Sequence, residues 1–334
     1  MKALFIGGTG NISTAVTRLA LERGIQVWHL NRGRSAEALP GVETLTADVG
    51  RPGELEQAIG PRTFDVVVNF IAFKPADVAR DLRVFEGRAG QYIFISSASV
   101  YQKPPAHPIV SESTPLANPF WDYAQAKIAC EDALVSAYRE RAFPMTIVRP
   151  SLTYDTVIPV PLGGWREYTI VERIRKKKKI IVHGDGTSLW TVTHSDDFAR
   201  GLLGLFGEPR AIGHAFHITS DELLTWDQIH QALAAAVGAE PRIVHVPSDL
   251  IAKLAPSRAG SLLGDKSPSL IFDNSKIKSV VPEYRASIAF AQGIRRTLDW
   301  FDAQASRRQI DPQSDAEIDR ILAQYARAFP DASD

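Results

Sequence analysis

Tyr123 and Lys127 stand four residues apart in YAQAK, inside the stretch WDYAQAKIACEDALVSAYRERA, whose composition suits a helix. Spacing i to i+4 puts the phenol and the ammonium on one helical face. A neighbouring cation favours phenolate over phenol and lowers the tyrosine pKa, which fits Tyr123 to give or take a proton near neutral pH. Ser97, in SSASVY, is placed to hydrogen-bond the same substrate oxygen. In a chain with eight tyrosines a Tyr-x-x-x-Lys pair is a cheap match, so its meaning rests on its context.

That context begins at residues 7–16, GGTGNISTAV, which follow the apolar run KALFI. Gly8-Thr9-Gly10-Asn11-Ile12-Ser13 fits G-x-G-x-x-small, and Gly7 with Gly10 fits a wider glycine spacing. Glycines at a strand-to-helix turn let backbone N–H groups approach a pyrophosphate at the positive end of the helix. Gly7, Thr9, Gly10, Asn11 and Ile12 are the candidate contacts to a dinucleotide. Ser13 replaces the glycine that packs helix against strand, and is expected to widen that contact slightly while leaving the cradle usable. The bland alternative is a glycine turn without a ligand; the strand before it and the helix after it weigh against that.

The second strand ends in VWHLNRGR, with no acid to bond the ribose hydroxyl of NAD. Asn31, Arg32 and Arg34 offer donors and positive charge to a 2′-phosphate, so NADP is slightly favoured over NAD. Asp48 and Val49, ending the third strand, either bracket the adenine or, for the aspartate, cap the next helix.

The elements that must position these residues alternate along the first half. KALFIGG, QVWHLNR, VETLTADV, FDVVVNFIA and QYIFISSASVY read as nearly continuous apolar strands covered on both faces. NISTAVTRLALERG, RPGELEQAIG and PADVARDLRVFEGRAG read as helices ending at or near glycine. A sixth strand, PMTIVRPSLTY, follows the Tyr-Lys helix. The fold class expected is α/β: a Rossmann-type doubly wound parallel sheet with a smaller C-terminal α+β substrate lobe. Residues 1–152 form the dinucleotide domain, completed by about 187–219, and 153–186 with 220–330 form the substrate lobe. DTVIPVPLGGWREY is an irregular connection into a helix IVERIRKKKK, and SIAFAQGIRRTLDWFDAQAS is the last long helix before a polar tail able to form one more.

The 334 residues carry 38 Lys and Arg against 38 Asp and Glu, so no global field favours DNA, RNA or an anionic membrane. The single cysteine, Cys130, excludes an internal disulfide framework. No stretch approaches a membrane span, and the N-terminus MKALFIGG reads as a strand rather than a signal, which points to the cytoplasm. No histidine or cysteine cluster supports a metal; His214 and His217 fall on opposite faces of a strand, and His194 reads as a strand-end hydrogen-bonding residue. RKKKK, residues 175–179, could meet a phosphate or RNA, but a charge run ending a helix is more often solvated.

GGTGNIS, SSASVY and YAQAK, in that order, resemble the extended short-chain dehydrogenase/reductase superfamily, specifically the NAD-dependent epimerase/dehydratase family. VRPSLTY and HGDGTSLWTVTHSDDFA resemble its later segments, so the likeness spans nearly the whole chain. The resemblance implies a nicotinamide cofactor, with Ser97, Tyr123 and Lys127 as a catalytic trio in which the lysine also holds the nicotinamide ribose. It implies further cofactor contacts at Phe70, Ile71 and Ala72, at Ser96, and at Pro150. Ser99, Tyr101, Trp121, Tyr154 and Trp190 are the candidate substrate contacts, with Phe120 beside them, each with core filling as the alternative. Helices around 75–87 and 123–138 resemble the pair through which family members dimerise, so a homodimer is expected.

Departures narrow the chemistry. Ala98-Ser99 stands where the dehydratases carry an acidic pair, which disfavours dehydration. Trp190 stands where epimerases usually place an arginine for the substrate pyrophosphate, so a simple sugar or another hydroxy/keto compound gains weight over a UDP-sugar. The expected function is NAD(P)-dependent hydride transfer at a hydroxyl or keto group of a carbohydrate-like substrate. The alternative is a non-catalytic nucleotide- or RNA-binding protein, since NRG, GDG and DNSKIKSVVPEYR also resemble the chloroplast stem-loop RNA-binding branch of the superfamily.

Overall fold

A computed structural model describes residues 1–33 and 39–329. The apolar run Lys2–Ile6 forms β1, and strands and helices then alternate as α1 (Asn11–Glu22), β2 (Gln26–Asn31), β3 (Val42–Thr46), α2 (Glu54–Ile59), β4 (Phe64–Asn69), α3 (Pro75–Phe85), β5 (Ala89–Ile95), a short β6 (Ile109–Val110), α4 (Asp122–Arg141) and β7 (Met145–Pro150). After these come β8 (Leu152–Tyr154), α5 (Thr169–Arg175), β9 (Lys179–His183), β10 (Leu189–Trp190), β11 (Val192–His194), α6 (Ser195–Gly204) and β12 (Ala215–Ile218).

Seven strands join in the order β12-β7-β5-β4-β1-β2-β3, every neighbouring pair parallel. The chain builds outward in both directions from β1, so the crevice between the ends of β1 and β4 is a topological switch point, where such sheets bind ligands. Both faces are covered. α1 and α6 bury Val16, Ala20, Phe198 and Leu202 with Phe5 and Val68 of the sheet. On the other face Leu55, Val78, Phe85 and Leu134 pack with Leu4, Val67 and Phe94. Each such side chain contributes roughly 1.5–3 kcal/mol relative to exposure, which makes the sheet a rigid platform for its strand ends. The Rossmann-type α/β class expected from the sequence is the one observed.

Three expectations need correction. β3 is a half-exposed edge strand rather than one covered on both faces, because it ends the seven-stranded order. PMTIVRPSLTY breaks in two: β7 stays in the sheet as far as Pro150, whose missing N–H ends the ladder, and β8 turns away to pair with β11. The helix of IVERIRKKKK stops at Arg175, where Lys177 takes a left-handed conformation (φ 54°).

The C-terminal residues build two further cores. Tyr154, Tyr168, Trp190, Trp226, Leu233, Phe290 and Phe301 form one. Leu162, Ile181, Val246, Leu262, Ile318 and Ile321 form the other, in which residues Arg242–Val246 pair in parallel with β9.

Candidate active site

A cavity of about 570 Å³ opens at the C-terminal ends of β1, β4, β5 and β7. Gly7 (φ +85°) lets the chain leave β1 there; a Cβ on it would lie 2.5 Å from Ile71 Cγ2, so the ends of β1 and β4 close up only around a glycine. A Cβ on Gly8 would lie 2.4 Å from the His29 ring. That ring bonds Thr17 Oγ1 at 2.8 Å, and burial lowers its pKa to about 4.

Ser13 does more than fill the place of a glycine. Its hydroxyl donates to the Gly7 carbonyl at 2.8 Å and accepts the Gly10 N–H at 2.7 Å, fastening the turn from within. The slight widening expected of a serine is replaced by this local clasp. Asn11 ties the turn to the segment after β7: Nδ2 donates to the Thr153 carbonyl at 2.9 Å, and Oδ1 accepts the Thr156 N–H at 3.2 Å. Ser13 Oγ takes the N–H of the N-cap Gly10, and the next two residues of α1, Asn11 and Ile12, line the cavity beside it. Backbone amides at a positive helix end, approached over glycines, fit a diphosphate.

Deeper in the cavity α4 brings Tyr123 and Lys127 to the end of β5, where Ser97 lies. The Lys127 ammonium donates to the carbonyls of Ala72 at 2.7 Å and Ile95 at 2.8 Å, and sits 4.7 Å from the ring centroids of Phe73 and of Phe94. Burial among these groups brings its pKa down to about 8. Burial also pushes the Tyr123 phenol up to about 12; a hydrogen bond with Ser97 pulls against this and the Asp265 carboxylate adds to it. The lowered phenol pKa expected from the sequence is therefore reversed in this structure. The ammonium lies 5.8 Å from the Tyr123 ring and is committed to two carbonyls, so it does not offset desolvation.

One buried ion pair ties the segments that carry these residues. Glu131, one helical turn after Lys127, accepts from Ser96 Oγ at 2.5 Å and from Arg149 Nη2 at 2.5 Å and Nε at 3.0 Å. Arg149 also donates to the Tyr101 hydroxyl at 2.9 Å, which contacts His217 Nε2. The ends of β5 and β7 and the middle of α4 are thus clamped behind the cavity.

Of the residues picked from the sequence, Gly7, Gly10, Asn11, Ile12, Phe70, Ile71, Ser96, Ser97, Ser99, Trp121, Tyr123, Lys127, Pro150 and Trp190 line this cavity. Ala72 lies behind it and contributes the carbonyl that Lys127 binds. Thr9, Asn31, Arg32, Asp48 and Val49 lie outside its lining; the Asp48 carboxylate accepts the Gly50 N–H at 3.0 Å, and the Val49 carbonyl takes Arg80 Nη1 at 2.7 Å. Arg34 lies outside the described residues. Tyr101 and Tyr154 do not wall the cavity. Tyr101 belongs to the buried network just described, and Tyr154 fills the lobe core edge-on to His194 and Phe290, both at 5.2 Å, where only a glycine at 293 leaves room for its hydroxyl. Phe120 is exposed and outside the lining.

Sequence reasoning missed Ser151 to Thr153, Trp165, Arg166, Asp265 and Lys266, all of which line the cavity. The first group follows a strand break, and the others come from irregular chain with no periodic pattern to place it. Among the described residues no group of three or more His, Cys, Asp or Glu could hold a metal ion, and no helix is long and apolar enough to cross a membrane.

Residues 3–219 match the family model "NAD dependent epimerase/dehydratase family". The chain belongs to this family. Within and around the family, it is 24% identical to 2'-dehydrokanamycin reductase of Streptomyces kanamyceticus over 98% of this chain and 91% of that protein. It is 27% identical to chloroplast stem-loop binding protein of 41 kDa b of Arabidopsis thaliana over 73% of this chain and 65% of that one. Among solved structures, epimerase Mth375 of Methanothermobacter thermautotrophicus superposes with a TM-score of 0.75 at 18% identity, covering 91% of this chain and 93% of that one. UDP-glucuronic acid 4-epimerase of Bacillus cereus, in complex with UDP-glucuronic acid and NAD, superposes at 0.71 with 18% identity, covering 91% and 99%. At such identities these structures share the fold.

Proposed function

We propose that the chain is an NAD(P)-dependent oxidoreductase or epimerase acting on a hydroxyl or keto group of a sugar or sugar-like compound, with Tyr123 as acid/base. The observation that carries the reading is that Ser97, Tyr123 and Lys127 line the same cavity as the glycine turn at the start of α1. A nicotinamide cofactor bound there would supply or take up hydride at the substrate carbon. The turn from Gly10 to Ile12 would hold its diphosphate, and Pro150 would line its nicotinamide side. Ser97 orients the substrate oxygen, and Tyr123 gives or removes the proton on it. Lys127, pulled toward its neutral form by burial and held in place by the Ala72 and Ile95 carbonyls, lies one helical turn from the phenol on the same cavity wall. The absence of an acidic pair at Ala98-Ser99 supports redox or epimerase chemistry over dehydration.

Asn31 and Arg32, in a stretch VWHLNRGR that carries no acid, support NADP over NAD. Residues 1–152, completed by 187–219, hold the dinucleotide, and 153–186 with 220–330 shape the substrate side; α3 and α4 serve as a homodimer interface. The test mixes purified protein with NADH or NADPH and a panel of keto sugars and related carbonyl compounds, following absorbance at 340 nm, with NMR of sugar alcohols and NAD(P) for the epimerase arm. Turnover of at least one class supports the reading. Saturable cofactor binding with no hydride transfer and no epimerisation across the panel contradicts it.

A further inference from the structure

We propose that the substrate side of the cavity recognises an anion, a ring compound carrying a carboxylate or a phosphate, through Arg166 and Lys266. This rests on the function proposed above and names the substrate class for the same site. Neither residue belongs to the glycine turn or to the Ser-Tyr-Lys trio, and both line the cavity.

Arg166 follows Trp165, a bulky residue held at φ +67° by reciprocal backbone bonds with Ile158, N–H to carbonyl at 2.6 and 2.8 Å. A left-handed tryptophan is costly, about 1–3 kcal/mol, and persists where its surroundings dictate it. It leaves Trp165 half exposed in the cavity wall and puts Arg166 beside it, exposed and with no carboxylate partner among the described residues. Lys266 lies 5.8 Å from the Trp121 ring centroid, and Trp121 in turn lies 4.8 Å from the Tyr123 ring.

The charges here do not cancel. Asp265 is the one acid among the lining residues; it pairs with Lys266 at 3.2 Å and also acts on Lys103, whose Nζ is buried with no hydrogen-bond partner. Among the lining residues Lys127, Arg166 and Lys266 stand against Asp265 alone, which leaves an excess of positive charge beside the tryptophan and proline faces of the wall. Low-dielectric walls strengthen that excess, favouring an anion and opposing an ammonium. Because Asp265 already answers two lysines, it is not free to bind a substrate amine. A guanidinium fork suits both carboxylate and phosphate, and the Trp121 and Trp165 faces suit a sugar or aromatic ring.

The test is calorimetric titration of the NADPH-loaded protein with glucuronate, glucose 6-phosphate, neutral glucose and cationic glucosamine. Expected is binding of at least one anionic sugar about tenfold or more tighter than glucose, lost by a similar factor in Arg166→Gln and in Lys266→Gln while NADPH binding persists. The glucuronate and glucose 6-phosphate arms separate carboxylate from phosphate. Equal binding of glucose, preference for glucosamine, or anion binding that survives both substitutions overturns the inference and leaves the proposed function standing. Failure of the wild-type protein to bind NADPH or NADH at all overturns both.

Discussion

Ser13 occupies a position where the sequence pattern asks for glycine, and its hydroxyl makes two hydrogen bonds inside the turn it is supposed to disturb. Restoring the pattern should therefore harm the protein. Ser13→Gly is expected to lower stability by about 1–3 kcal/mol in urea unfolding, because two bonds are lost and backbone freedom is added. A variant as stable as wild type would show that the clasp contributes nothing. Lys127 gives a pH prediction. Its pKa is about 8 in the folded protein against an ordinary 10.5, so between these values the unfolded chain holds a proton that the folded one has released. The stability linked to Lys127 is fully present above about pH 10.5 and is lost as pH falls through about 8. Urea midpoints measured across that range should rise less steeply in Lys127→Met than in wild type. Ser97, Tyr123 and Lys127 could be picked from the sequence because a helical spacing and a strand end are local facts. Tyr101 and Tyr154 could not be placed that way. They adjoin the same motifs, but the side to which each ring turns depends on Arg149 and His217 for one and on His194, Phe290 and Gly293 for the other, all distant in the chain.

At the scale of elements, the site exists because the ends of β5 and β7 meet the first turns of α4, and the Glu131–Arg149 pair holds them so. Both side chains are almost wholly buried. Deleting one partner leaves the other charge unpaired in the interior, so Arg149→Met is expected to cost about 3–5 kcal/mol. Thermal or urea unfolding reads this directly; a loss below 1 kcal/mol would mean that the clamp is dispensable. The strands, their parallel order and the helices of the first half were legible because apolar runs and helical periods alternate with glycines at the joints. The break at Pro150 was not, since VRPSLTY is as apolar and β-prone beyond the proline as before it. The stretch 256–266, which brings Asp265 and Lys266 to the cavity, is made of short irregular turns placed by packing: glycines 260 and 264 sit against Trp121 and Asn118 too closely to admit a Cβ. No local pattern announces that contact.

Across the whole molecule, the basic run at 175–179 loses its promise as a nucleic-acid site. Arg175 pairs with Asp302 at 2.9 Å and Lys178 with Asp315 at 2.9 Å, joining the end of α5 to neighbouring helices, while Lys176 pairs back onto α5 with Glu172 at 2.8 Å. With these cations answered and a formal net charge of zero, salt-sensitive RNA binding is not expected: filter binding of a stem-loop RNA at low and moderate salt should show no steep slope. A slope of several charges would put the alternative RNA-binding reading ahead of the enzymatic one. The sheet, the glycine turn and the buried clamp instead converge on one cavity that holds the Tyr123 phenol, which the proposed function sets against a dinucleotide. Single turnover of the NADPH- or NADH-loaded protein with a carbonyl substrate found active, followed at 340 nm, tests this most directly in wild type and Tyr123→Phe. The substitution should leave cofactor affinity unchanged and slow the loss of absorbance by about a hundredfold to ten-thousandfold; a Tyr123→Phe protein that turns over at the wild-type rate would contradict it.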